Sequence, residues 1–124
     1  MSNPNISQQM QDEINRLNQT QQQMEYVAQS KMGLENQIKE MEFALKELEK
    51  VTEGTKIYKS IGGLMIESNP ADTLKELKEK KESSEMRVKS LEKQEERLKA
   101  SFEERRKILQ KKYNKMNQNT QEED

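Results

Sequence analysis

The feature that most constrains this chain is the spacing of its apolar residues. From Ile6 to Leu48 they recur at alternating steps of four and three. The positions are Ile6, Met10, Glu13, Leu17, Thr20, Met24, Val27, Lys31, Leu34, Ile38, Met41, Leu45 and Leu48. A second series is Leu74, Leu77, Lys81, Ser84, Val88, Leu91, Glu95, Leu98, Phe102, Arg105, Leu109, Lys112 and Met116. Only Glu13, Thr20 and Lys31 in the first, and Lys81, Ser84, Glu95, Arg105 and Lys112 in the second, are not apolar. This alternation is a coiled-coil seam, narrower than the buried face of a globular helix. Composition agrees. With 30% hydrophobic and 36% charged residues, the chain is too polar for an ordinary globular core but suits long solvated helices.

The spacing predicts five segments: a flexible N-terminus over 1–5, a helix over 6–53, a short β segment over 54–68, a helix over 69–116 and a disordered polar tail over 117–124. Gly54 is placed as the left-handed cap of the first helix. Gly33 lies within that helix, where it costs about 1 kcal/mol relative to Ala. Lys56-Ile57-Tyr58-Lys59-Ser60-Ile61 and Leu64-Met65-Ile66-Glu67 are β-rich and joined by Gly62-Gly63, which reads as a hairpin. Asn69 suits the cap of the second helix, Pro70 its first position and Asp72 its positively polarised first turn.

The two seams fit one another. If the hairpin turns the helices back antiparallel, facing residues must share a constant sum of position numbers. Leu48 with Leu74, Leu45 with Leu77, Leu34 with Val88, Met24 with Leu98, Leu17 with Arg105 and Ile6 with Met116 all do. The expected fold class is mainly α: a long antiparallel two-helix coiled coil joined by one β-hairpin.

Such a fold leaves two apolar surfaces. A lone hairpin is marginal in water and exposes two edges. Ile57, Tyr58, Ile61, Leu64, Met65 and Ile66 therefore point to assembly with strands of other subunits. At the free helix ends, Ile14, Ile108 and Tyr113 lie off the seam, beside the seam residues Ile6, Met10, Leu17, Leu109 and Met116. Several of these face polar residues: Leu17 faces Arg105, Leu109 faces Glu13 and Met10 faces Lys112. The ends are expected to offer apolar surface to unfolded chains, and Met suits such unselective contact.

The order helix, Tyr58-Lys59-Ser60-Ile61-Gly62-Gly63-Leu64-Met65-Ile66 hairpin, helix with Leu74-Lys75-Glu76-Leu77-Lys78-Glu79-Lys80 resembles the beta class of prefoldin over nearly the whole chain. The strand-turn-strand segment is its most specific part. Between the helices there is room for one hairpin, whereas the alpha class carries two. The resemblance implies a heterohexamer of two alpha and four beta subunits, in which the hairpins build an intersubunit β-barrel. It implies that the coiled-coil tips hold non-native proteins without ATP and deliver them to a group II chaperonin. Carried onto this chain, Ile57, Tyr58, Ile61, Leu64, Met65 and Ile66 would build the barrel. Ile6, Met10, Ile14, Leu17, Ile108, Leu109, Tyr113 and Met116 would touch clients. Lys111, Lys112 and Lys115 are candidate chaperonin contacts. Gly33 and the acidic tail depart from the family pattern.

Other chemistry is poorly served. Without Cys or His, thiolate sites and the usual nucleophile–base pairs are excluded, and no metal site or cofactor is expected. Gly62-Gly63 lacks the Lys-Ser/Thr of a phosphate loop. The carboxylates are expected to pair along the helices, as Glu76 with Lys80. Acidic and basic residues balance to a net charge of -1, which favours neither nucleic acid nor a membrane surface as partner. The expectation is a non-enzymatic cytoplasmic chaperone subunit, and its alternative is a coiled-coil scaffold or tether.

Overall fold

The structure, a computed structural model, describes residues 4–122, with side chains from residue 7 to residue 118. Residues 1–3 and 123–124, and the side chain of Ile6, lie outside the described residues. The order is α1 (Pro4–Glu49), β1 (Ile57–Ile61), β2 (Leu64–Ser68) and α2 (Pro70–Glu122). The fold is mainly α, with two long helices joined by one β-hairpin. It divides into two units. One comprises residues up to Gln29 with those from Leu91 onward, and the other is Ser30–Ser90.

In the Ser30–Ser90 unit, Leu34 and Val88 are buried on the facing helices, and Leu45, Leu48, Leu74 and Leu77 are half-buried. Lys81 stands on the seam, facing Met41 in the expected register. Its ammonium reaches the adjacent Glu42 at 3.6 Å and Glu85 one turn on, also at 3.6 Å. A long side chain can occupy a seam position this way, covering apolar surface with its stem while its charge reaches the flank.

The last turn of α1 tightens. Lys50 N–H donates to the Glu47 carbonyl and Val51 N–H to the Leu48 carbonyl, each at 3.2 Å. These three-residue bonds close the helix end at Glu49, short of the expected Glu53. Gly54 is not the helix cap. It is the third residue of a turn in which Thr55 N–H donates to the Thr52 carbonyl at 3.2 Å, and its φ of 88° is what that position needs.

β1 and β2 pair antiparallel, with Ile61 opposite Leu64 and Ile57 opposite Ser68. Gly62 and Gly63 have φ of 55° and 83°. Two successive positive values match the right-handed twist of the flanking strands. Asn69 caps α2, its Oδ1 accepting from Asp72 N–H at 3.1 Å.

In the other unit, Val27 is only 3% exposed and Thr20 is also buried. The Thr20 hydroxyl donates to the Arg16 carbonyl at 2.9 Å, so a polar side chain enters the seam with its hydrogen bond made. Leu17, Met24, Leu98, Phe102, Leu109 and Met116 are half-buried. α2 continues to Glu122, beyond the expected end near Met116. No Gly or Pro interrupts residues 117–122, so nothing in the backbone chemistry stops it.

Candidate functional site: the hairpin surface and the helix ends

Strand alternation sorts the hairpin side chains into two faces. Ile57, Lys59, Ile61, Leu64, Ile66 and Ser68 share one; Tyr58, Ser60, Met65 and Glu67 share the other. Only the base of the first face is covered. There the Lys59 ammonium lies 2.6 Å from the Glu76 carboxylate, and the Ser68 and Thr73 hydroxyls are 2.6 Å apart. Glu76 thus pairs with the hairpin rather than with Lys80. Ile57 is half-buried. Tyr58, Ile61, Leu64, Met65 and Ile66 are exposed, Leu64 to 68%. Burying the exposed remainder of each is worth on the order of 1 kcal/mol. Among the described residues the sheet has two strands, so each keeps one edge unpaired by them, the arrangement that accepts further strands.

At the helix ends, Ile14, Ile108 and Tyr113 are exposed to 37%, 41% and 47%. Met10, Leu17, Leu109 and Met116 are half-buried on the seam beside them. Glu13, also on the seam, is 14% exposed, with Oε1 3.8 Å from Arg16 and 3.8 Å from Lys112. The candidate lysines therefore separate. Lys112 turns inward to Glu13, whereas Lys111 and Lys115 are exposed. Tyr26, Met32, Phe43 and Met86 are also exposed. Their off-seam positions made this readable from the periodicity, but no contact in the structure assigns them a role. Among the described residues no group of acidic side chains could hold a metal, and no helix is long and apolar enough to cross a membrane.

The prefoldin subunit family model matches residues 11–116. The chain belongs to the prefoldin family. Its relatives include beta subunits of that family. The prefoldin subunit beta of Archaeoglobus fulgidus is 39% identical over 102 residues, covering 82% of this chain and 88% of the relative. That of Thermococcus onnurineus is 42% identical over 100 residues, covering 81% and 86%. The crystal structure of the prefoldin beta subunit from Thermococcus strain KS-1 superposes with a TM-score of 0.74 at 32% identity, covering 83% of this chain and 90% of that one. As a prefoldin subunit, this is a chaperone subunit. The single hairpin agrees with the beta-class resemblance.

Proposed function

We propose that this chain assembles through its hairpin with prefoldin alpha subunits, and that the resulting oligomer holds non-native proteins with its helix ends. The holding needs no ATP, takes place in the cytoplasm and ends in delivery to a group II chaperonin. The observation that carries this reading is the exposure, in one chain, of two apolar surfaces. The hairpin surface has open strand edges suited to specific assembly. The surface of Ile14, Ile108 and Tyr113 has none and suits loose contact with side chains of any sequence. A complex of two alpha and four beta subunits, with an intersubunit barrel, follows from the beta-class resemblance. Lys111 and Lys115, open to an acidic partner, are the better candidates for chaperonin contact; Lys112 is engaged with Glu13.

The test is suppression of aggregation of a chemically unfolded protein without ATP. The assembled complex is compared with one carrying Ser at Ile6, Met10, Ile14, Ile108, Leu109 and Tyr113. Protection lost in the variant at unchanged oligomer mass supports the reading. An intact wild-type complex that gives no protection leaves a coiled-coil tether in its place.

A further inference from the structure

From Arg105 to Gln118 the second helix carries Arg105, Arg106, Lys107, Lys111, Lys112 and Lys115 and no acidic residue. Two of these cations are engaged within the chain: Arg106 lies 3.1 Å from Glu103, and Lys112 pairs with Glu13. Lys107, Lys111 and Lys115 are exposed and form no ion pair among the described residues. They stand at successive steps of four, so they form one row on the helix surface. Like charges at that spacing repel and weaken the helix. Lys89, Lys93 and Arg97 repeat this spacing in mid-helix, but they stand among Glu85, Glu92 and Glu96, whereas the row at the helix end has no acidic residue interleaved with it. Ile108 stands beside the row, three residues before Lys111, and is 41% exposed. Tyr113, on the other flank, stands instead among uncharged or paired neighbours: Gln110 donates to Asn114 at 3.2 Å, and Arg106 is held by Glu103.

We infer that the Ile108 flank selects, among non-native polypeptides, apolar segments that carry acidic residues. This rests on the client-holding reading. The isoleucine supplies apolar contact, and the three lysines supply the charge that an Asp- or Glu-bearing segment complements.

The test uses the full chain in its assembled complex and labelled fifteen-residue peptides of one apolar sequence, carrying two Glu, two Gln or two Lys. Fluorescence anisotropy at low salt is expected to rank Glu above Gln above Lys. The Glu peptide should bind roughly three- to tenfold tighter than the Gln peptide, the yield of two or three exposed ion pairs. The preference should shrink as ionic strength rises and vanish in a Lys107→Gln, Lys111→Gln, Lys115→Gln variant that still binds the Gln peptide. Ile108→Ser should weaken all three peptides. Equal binding of the three peptides overturns the selectivity and leaves client holding intact. Binding of none overturns both. Retention of the Glu peptide after Ile108→Ser, with displacement by heparin, shows simple ion exchange and also overturns the inference.

Discussion

Lys112 reaches across from α2 to bring its ammonium 3.8 Å from the Glu13 carboxylate of α1, within one seam layer of the helix ends. Glu13 Oε2 is buried and has no hydrogen-bond partner among the described residues. A carboxylate at a seam position, opposite Leu109 in the expected register, sacrifices apolar packing and gains register. Removing Lys112 as Lys112→Met leaves Arg16 alone beside that carboxylate. The expected loss is on the order of 1–3 kcal/mol, between the values for exposed and fully buried pairs. Glu13→Leu should instead stabilise the ends by about 1 kcal/mol, because an apolar side chain then fills a largely buried seam position. Hydrogen exchange of the amides of residues 10–17 and 109–116 reads both, with protection falling in the first variant and rising in the second.

Gly33 has nothing within 4 Å of where a Cβ would stand, and its φ is not in the left-handed region. Gly33→Ala is therefore expected to stabilise the helix by about 0.5–1 kcal/mol. A thermal melt followed by circular dichroism should show a higher midpoint. A lower midpoint would mean that the assembled complex needs that space.

The hairpin surface separates assembly from folding. Leu64 and Met65 are both exposed, so Leu64→Glu with Met65→Glu should change the melting of the isolated chain by no more than about 0.5 kcal/mol. The same variant is expected to lose its oligomer in native mass spectrometry. A full-mass oligomer would show that assembly uses another surface.

Asn69 accepts the Asp72 N–H at 3.1 Å, and its own carbonyl accepts Thr73 N–H at 3.1 Å. Asn69→Ala removes only the side-chain bond. The expected cost is about 1 kcal/mol, and Asn69→Asp should keep most of the stability. Denaturant unfolding of the two variants side by side distinguishes a lost cap from a disturbed hairpin base.

Much of the fold was legible because the relevant signals are local. A seven-residue repeat states which face of a helix is covered, whatever covers it. Every seam position from Met10 to Leu48 and from Leu74 to Met116 is half-buried or buried. Likewise Gly62-Gly63 and Asn69-Pro70-Ala71-Asp72 carry their backbone geometry in their own residue types. The exposure of Ile14, Ile108 and Tyr113 followed from the same repeat, since off-seam residues near a helix end have little to cover them.

What local pattern could not supply was the choice among available partners. Glu76 has Lys80 one turn away, yet its carboxylate meets Lys59, because the hairpin base brings that lysine back against the first turns of α2. Gly54 suits a helix cap by composition, but the helix closes at Glu49 and the glycine serves the next turn instead. Lys111 and Lys112 are neighbours of one type in the sequence, and only the packed seam turns Lys112 toward Glu13 while leaving Lys111 to solvent. The sequence by itself determined the elements and their covered faces, because periodicity and turn chemistry act over a few residues. The tertiary structure decided which charges are spent inside the chain and which stay open to a partner, because an ion pair depends on where two distant backbones place their side chains.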